Sequence, residues 1–237
     1  VFHQAALPSV PRSIRNPKPS HDMNITGTLN VLMAARDRGV KKVIYASSSS
    51  VYGDTPTLPK KESMIPNPLS PYAVTKLAAE YYCTVFNKVY GLDTVCLRYF
   101  NVYGPRQDPN SQYAAVIPRF FQNVLEGKSP VIFGDGEQSR DFTYVKDVAT
   151  ANIQAAESNA TGIYNLGNSK QVTINHLVQL IIELVGKKNI KPVYQDPRPG
   201  DILHSLSDIS RAKDFGYDPT TSLHEGLKLT YDFLCRK

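Results

Sequence analysis

Residues 41–50 read KKVIYASSSS, a short run rich in β-branched and aromatic residues that ends in four serines. Such a run is typical of a buried strand in a parallel sheet. Before it, apolar residues spaced near 3.6 predict a helix over 22–38 that ends at Gly39. After it, a proline-rich loop leads to a predicted helix over 72–90 and to the strand LDTVCLRYF (92–100). Strand, helix and strand in this order indicate an α/β fold with a parallel sheet and right-handed crossovers.

The sequence changes character after Gly104-Pro105, where elements become shorter and loops more frequent. The pattern predicts helices at about 113–126, 147–157, 173–186, 207–214 and 222–235, and strands at 130–133, 162–167 and 191–195. We interpret this part as a smaller lobe over the carboxyl ends of the sheet, where open α/β sheets bind their ligands.

Composition narrows the class of protein. The 237 residues are 41% hydrophobic and 20% charged, which are globular values and exclude a fibrous or disordered chain. No apolar run approaches the roughly 20 residues that span a bilayer, and the first residues lack the order of a signal peptide. We therefore expect a cytoplasmic protein with no membrane partner.

Charged and metal-ligating residues exclude two further classes of partner. The three cysteines and five histidines are too scattered for a metal site. The net charge of +6 is concentrated in the first fifty residues. A nucleic-acid binder would repeat that excess along a face interleaved with aromatic residues. We expect no metal and no nucleic acid, and interpret the basic region as lying near a phosphate ligand.

The serine run is followed by a tyrosine and a lysine that could carry chemistry. Tyr72 and Lys76 lie four residues apart on the predicted helix and so share one face. A nearby ammonium favours the phenolate, so Tyr72 could act as a base, and a serine at the strand end could bridge it to a substrate hydroxyl. The spacing alone is weak evidence, because a surface helix with a half-buried tyrosine and a solvated lysine would also show it. Pro71 strengthens the catalytic interpretation by placing Tyr72 at the start of the helix.

Four longer motifs resemble one family. They are ASSSSVYGD (46–54), SPYAVTK (70–76), LRYFNVYGPRQDP (97–109) and SRDFTYVKDV (139–148). They resemble the extended short-chain dehydrogenase/reductases that act on nucleotide sugars, and specifically their 4-epimerases, with similarity from residue 3 to residue 212. The resemblance implies an NAD-binding Rossmann domain, of which 1–104 is the remaining part. It also implies a nucleotide-sugar-binding domain over most of 105–237, with 141–167 returning to the Rossmann sheet.

The resemblance also assigns the catalytic and cofactor-binding roles. Tyr72 would be the catalytic base and acid. Lys76 would hold the nicotinamide ribose of NAD and lower the pKa of Tyr72. The catalytic serine would be Ser48, with Ser49 a close alternative. The remaining residues expected to contact NAD are Ala5, Ala6 and Tyr99. Asn24 would tie the central helix to neighbouring strands, although an ordinary polar residue at a helix N-terminus is an equally good interpretation.

Substrate contacts follow from the same resemblance. Asn101 and Arg140 would bind the diphosphate, to which guanidinium and amide donors are suited. Arg198 and Asp201 would bind the uridine side. The other expected substrate contacts are Ser9, Ala115, Val116, Phe120 and Ser205. Of these, Ala115, Val116 and Phe120 would form an apolar wall, although such a helix stripe is more often ordinary core.

Departures from related families favour simple epimerisation. Nucleotide-sugar 4,6-dehydratases carry an Asp-Glu pair beside the catalytic serine or threonine, where this chain has Ser48-Ser49-Ser50. Ser205 stands where many strict glucose/galactose epimerases have a bulky tyrosine. The smaller serine leaves room for a 2-acetamido group. We predict NAD-dependent 4-epimerisation of UDP-GlcNAc/UDP-GalNAc through a 4-keto sugar. We expect UDP-Glc/UDP-Gal as an additional substrate pair.

Two alternatives stay open. The family's GxxGxxG turn is absent from these residues, so we expect the chain to be the last three-quarters of an epimerase, truncated at its N-terminus. A non-catalytic sugar-nucleotide-binding remnant is therefore one alternative, and a dehydratase or reductase of the same family is the other. By resemblance alone, we expect a homodimer formed through the helices predicted at 22–38 and 72–90.

Overall fold

The computed structural model describes residues 1–108, 115–197 and 202–236. The helices are α1 (Val10–Arg15), α2 (Pro17–His21), α3 (Gly27–Asp37), α4 (Pro71–Tyr90), α5 (Val116–Leu125), α6 (Val145–Glu157), α7 (Ile174–Val185) and α8 (Leu223–Cys235). The strands are β1 (Phe2–His3), β2 (Lys42–Ser48), β3 (Asp93–Tyr99), β4 (Val102–Tyr103), β5 (Val131–Phe133), β6 (Ser139–Asp141), β7 (Thr143–Tyr144), β8 (Gly162–Leu166), β9 (Gln171–Thr173) and β10 (Val193–Gln195). A π-helix (Asp22–Thr26) leads into α3, and 3₁₀ helices cover Ser49–Tyr52 and Arg211–Phe215.

The main sheet is parallel and has the strand order β1-β2-β3-β8. Its register aligns Ser48 of β2 with Tyr99 of β3, and Tyr99 with Leu166 of β8. These three residues therefore form one row at the carboxyl edge. The α/β fold with a Rossmann-like parallel sheet is confirmed.

Helices cover both faces of this sheet because strand residues alternate between them. On one face, Val43, Tyr45 and Cys96 pack against α3 and α4. On the other face, Val95 and Leu97 pack against α6. Strands buried on both faces explain the nearly continuous apolar run in β2.

A separate core lies beyond the sheet. There α5, α7 and α8 bury Phe121, Leu177, Ile181 and Leu227. The short pairs β4-β7, β5-β10 and β6-β9 accompany this core. The division into two domains after residue 104 stays a prediction, as does the return of 141–167 to the Rossmann sheet, although β8 does pair with β3.

Several predicted elements were wrong. The helices α1 and α2 were not predicted, because their prolines resemble those of a loop, yet proline is favoured in the first turn of a helix. The helix predicted at 207–214 is reduced to the 3₁₀ helix Arg211–Phe215. The chain before it is held extended, since the Lys60 N–H donates to the Leu206 carbonyl and the Asp208 N–H donates to the Lys60 carbonyl.

Two further differences concern an unpredicted strand and the first residue of a helix. No strand was predicted at residues 139–141, but they form β6, which carries Arg140 and pairs antiparallel with β9. The helix predicted from residue 113 begins at Val116, and residues 113–114 lie outside the described ranges. Across the described residues, none of the helices has the length and apolar character required to cross a bilayer.

Candidate active site

The start of α4 places Tyr72 at the carboxyl edge of the sheet. Ser70 caps the helix by accepting a hydrogen bond from the Ala73 N–H at 3.2 Å, and Pro71 occupies the first turn. The Tyr72 N–H donates to the Ser13 hydroxyl at 3.0 Å, which joins α4 to α1. The backbone of Tyr72 is thus held from two sides.

Ser48 is the last residue of β2 and meets Tyr72. Its hydroxyl accepts a hydrogen bond from the Ser50 N–H at 3.2 Å and lies near the Tyr72 phenol. Burial raises the pKa of Tyr72, and the nearby Ser48 hydroxyl partly opposes that rise. Ser49 opens the adjoining 3₁₀ helix and is half-buried.

Lys76 lies one turn further along α4 and is only 3% exposed. Its ammonium donates to the Ala46 carbonyl at 2.8 Å and lies 5.9 Å from the centre of the Tyr72 ring. Burial lowers the pKa of Lys76 to about 8, against the opposing charge of Glu80. The net shift in the pKa of Tyr72 is upward, opposite to the lowering expected from Lys76, because burial dominates.

Asn24 connects the loop after β1 to α4. Its side-chain oxygen accepts a hydrogen bond from the Leu7 N–H at 2.7 Å, and its amide nitrogen donates to the Leu7 carbonyl at 3.2 Å and to the Thr75 hydroxyl at 3.0 Å. The interpretation of Asn24 as a tie between elements agrees with these contacts.

Tyr99 and the alanine pair expected to contact NAD lie near one another. The Tyr99 hydroxyl lies 3.0 Å from the side-chain oxygens of both Gln4 and Asn152. Gln4 directly precedes Ala5 and Ala6, which are exposed and half-buried respectively. Sequence reasoning missed Gln4 and Asn152, because neither belongs to a recognisable motif.

A cavity of about 270 Å³ contains most of the expected substrate residues. Its lining includes Asn101, Ala115, Val116, Phe120 and Arg140, which are five of the nine substrate-contact residues predicted from the sequence. Asn101 follows Tyr99 by two residues, so the cavity adjoins the carboxyl edge of the sheet. Phe120 is also 3% exposed and belongs to the core of this region, as the alternative interpretation of the helix stripe anticipated.

Two further predicted contacts, Ser9 and Ser205, lie away from this cavity. Ser9 caps α1 by accepting a hydrogen bond from the Arg12 N–H at 3.1 Å. Ser205 is 8% exposed, and its N–H donates to the Ser139 carbonyl at 3.1 Å. Neither is among the described residues that line the cavity. Arg198 and Asp201 lie outside the described residues.

Arg140 is held against the chain that carries Ser205. One guanidinium nitrogen, Nη1, donates to the Ser139 carbonyl at 2.9 Å and to the Leu203 carbonyl at 3.2 Å. The Ser139 N–H also donates to the Leu203 carbonyl, at 2.9 Å. These contacts fix β6 beside residues 203–205.

Asp141, next to Arg140, is a fully buried carboxylate that joins three segments. It accepts hydrogen bonds from the Asn168 N–H at 2.7 Å and the Ser169 N–H at 3.1 Å. It also accepts from the N–H of Ser207 at 2.9 Å and from its hydroxyl at 2.5 Å. Gly167 permits this approach, since a Cβ there would lie 2.0 Å from the Ser207 hydroxyl. No sequence motif predicted this cluster of Asp141, Asn168, Ser169 and Ser207, which we call the Asp141 clamp.

A Rossmann-like parallel sheet with serine, tyrosine and lysine at its carboxyl edge is typical of nucleotide-dependent enzymes with a Rossmann fold. The chain belongs to the NAD dependent epimerase/dehydratase family, whose sequence model matches residues 1–167. This membership confirms the family resemblance and NAD as the family's cofactor.

Relatives of the chain are named for three different sugars. It is 40% identical to a putative UDP-glucose 4-epimerase of Methanocaldococcus jannaschii, over 99% of this chain and 76% of the relative. It is 41% identical to a UDP-glucuronate 4-epimerase of Thermodesulfobacterium geofontis, over 98% and 71%. A solved UDP-N-acetylglucosamine 4-epimerase of Methanobrevibacter ruminantium M1, in complex with UDP-N-acetylmuramic acid, is 48% identical with a TM-score of 0.97, over 100% and 76%.

Proposed function

We propose that this protein is an NAD-dependent UDP-sugar 4-epimerase. The observation that carries the proposal is the contact between Ser48 and the Tyr72 phenol, with Lys76 one helical turn away. The three side chains meet at the carboxyl edge of the sheet, beside the cavity lined by Asn101 and Arg140. The names of its relatives support epimerisation of a UDP-sugar.

The residues at this edge fit NAD. Lys76 has three N–H groups, of which one donates to the Ala46 carbonyl, so the others can donate to ribose hydroxyls. Ala5 and Ala6 follow the carboxyl end of β1, and the short, partly exposed side chains of these two residues suit close approach of the nucleotide. When bound there, NAD would supply reversible hydride chemistry at C4 of the sugar.

The chain's own residues move the proton. The Ser48 hydroxyl lies beside the Tyr72 phenol and can orient the sugar 4-hydroxyl toward it. As the phenolate, Tyr72 takes the proton of that hydroxyl, and as the phenol it gives the proton back after the 4-keto sugar has turned over. The Lys76 ammonium, 5.9 Å from the centre of the Tyr72 ring, is placed to stabilise the negative charge of the phenolate.

Replacement of Tyr72 by phenylalanine tests the proposal. Purified protein is incubated with NAD and UDP-glucose or UDP-GlcNAc, and the 4-epimer is quantified by chromatography. We expect turnover by the wild type and by Tyr81→Phe, an exposed position on the same helix. Tyr72→Phe should lose at least about 100-fold in kcat, as expected for removal of a general acid-base group. Full activity of Tyr72→Phe, or a 4-keto-6-deoxy product from the wild type, would overturn the proposal.

We further propose that the substrate is UDP-GlcNAc/UDP-GalNAc, with UDP-Glc/UDP-Gal also accepted. The presence of serine rather than a bulky tyrosine at position 205, which is hydrogen-bonded to Ser139 next to Arg140, supports this choice. Ser205→Tyr should abolish turnover of the acetamido sugar and retain that of the glucose sugar, whereas Ser205→Thr should retain both. Unchanged acetamido turnover in Ser205→Tyr would contradict the assignment.

A homodimer is part of the proposal. Supporting it, α4 exposes Tyr81, Val85 and Val89, and Met33 of the adjacent α3 is also exposed. Contiguous apolar side chains on a helix surface are typical of association sites.

A further inference from the structure

A buried carboxylate lies beneath the carboxyl edge of the sheet. Glu80 of α4 is 1% exposed and accepts hydrogen bonds from Arg98, from Nε at 2.9 Å and from Nη2 at 2.7 Å. It also accepts a hydrogen bond from the Ser47 hydroxyl. Ser47 and Arg98 are paired neighbours on β2 and β3, so one carboxylate holds both strands.

This contact lies one residue before the proposed catalytic serine. Ser47 precedes Ser48 in β2, and Arg98 precedes Tyr99 in β3. Along α4, Tyr72, Lys76 and Glu80 follow one another at intervals of four residues and therefore share a face. The Glu80–Ser47 hydrogen bond thus links α4 to β2 at the residue next to Ser48.

Burial of the Glu80–Arg98 ion pair costs desolvation free energy. Removing two charges from water costs several kcal/mol per ion, and apolar replacements of a buried pair are often as stable. Arg98 also has one buried nitrogen, Nη1, without a hydrogen-bond partner in the described structure, and its guanidinium lies over the Tyr52 ring at 4.7 Å. Stability alone therefore does not account for Glu80, whereas its contact with two strand ends does give it a geometric role.

We propose that Glu80 is a positioning residue for the reaction: through Ser47 it fixes the distance between Ser48 and Tyr72. This inference rests on the proposed epimerase function. The inference can be tested at Ser47, because this residue lies outside the proposed catalytic set and can be replaced without altering a reacting group. Loss of the Ser47 hydroxyl should slow proton transfer and leave UDP-sugar binding as it was.

Ser47→Ala tests the proposal with a matched control. Thr94→Ala also removes a buried hydroxyl that links a strand to α4, since Thr94 donates to the Cys83 carbonyl at 2.9 Å, but it lies at the opposite end of β3. Calorimetric titration counts the sites that can bind UDP, and kcat is expressed per such site. Partial unfolding of a variant therefore does not lower the measured kcat. Ser47→Thr restores the hydroxyl and serves as the rescue variant.

We expect Ser47→Ala to lower kcat per site about 10- to 100-fold with KM within about two-fold, the range that small misplacements of reacting groups produce. Thr94→Ala should keep the wild-type kcat per site, and Ser47→Thr should regain most of it. Wild-type kcat in Ser47→Ala, or an equal loss in Thr94→Ala, would overturn the inference. Absence of wild-type turnover would instead refute the proposed function.

A double variant tests Glu80 itself. Glu80→Met combined with Arg98→Met removes both charges together and avoids leaving one buried ion unpaired. Because Ser47 then has no acceptor on α4, we expect the same loss of kcat per site as in Ser47→Ala. A double variant that binds UDP and retains the wild-type kcat per site would contradict the positioning role.

Discussion

The Asp141 clamp should contribute measurably to stability, and Ser207→Ala tests it. The substitution removes a hydroxyl that donates to a fully buried carboxylate at 2.5 Å. Hydrogen bonds to charged groups contribute about 1.5–3 kcal/mol each. Three backbone N–H donors remain on Asp141, so the carboxylate stays partly satisfied. We therefore expect the free energy of unfolding to fall by about 2 kcal/mol.

Asp141→Asn should cost more. The two carboxylate oxygens receive four donors, and a side-chain amide would place its own N–H groups against at least one of them. An unsatisfied buried N–H adds about 1–3 kcal/mol to the lost charge-assisted bonds. The loss should accordingly exceed that of Ser207→Ala.

Equilibrium urea unfolding followed by circular dichroism measures both effects, since the chain has no tryptophan. Ser63→Ala, at an exposed position, is the control and should stay within about 0.5 kcal/mol of the wild type. If Ser207→Ala unfolds at the wild-type midpoint with an unchanged slope, the clamp contributes little and the reasoning fails.

Three further predictions concern pH, packing and assembly. The pKa of Lys76, about 8, lies below its usual 10.5, so the folded protein binds fewer protons than the unfolded chain in this interval. The free energy of unfolding of the wild type should therefore rise relative to that of Lys76→Met between pH 8 and 10.5, and a constant difference in urea midpoints would contradict this. Gly167→Ala should lower the urea midpoint more than Ser207→Ala does, because its Cβ would lie 2.6 Å from the Ser207 Cβ; a smaller loss would refute the packing argument. Val85→Glu should dissociate the proposed dimer in sedimentation, whereas the equally exposed Ile153→Glu on α6 should not; a Val85→Glu dimer would exclude this face.

Local patterns predicted the sheet and the placement of the proposed catalytic residues. The apolar run of β2 required burial on both faces, and Ser70-Pro71 marked the start of α4. These signals act within a few residues, so they can be found without the fold. The meeting of Ser48 with Tyr72 follows once strand and helix are in place.

Long-range contacts could not be predicted in the same way. Asp141 and Ser207 are 66 residues apart, and neither belongs to a periodic pattern. The same applies to Tyr99 and Asn152, 53 residues apart. The helix expected at 207–214 was wrong because hydrogen bonds to Lys60 and Asp141 hold this segment extended, which outweighs its local preference.

The structure shows that residues 41–50 have two roles. Its apolar residues build the sheet, and its serines have different partners: Ser47 donates to Glu80, while Ser48 contacts Tyr72. Four polar residues at the end of a buried strand are costly without partners. Two of them carry the proposed positioning and catalytic roles.

Isotope retention tests the central claim most directly. UDP-glucose or UDP-GlcNAc labelled with deuterium at C4 is incubated with protein and NAD, and the product is analysed by NMR. The account predicts the 4-epimer with deuterium retained at C4, because the hydride removed from C4 returns to the same carbon while Tyr72 exchanges only the hydroxyl proton. Loss of the C4 deuterium to solvent, or a product other than the 4-epimer, would contradict it.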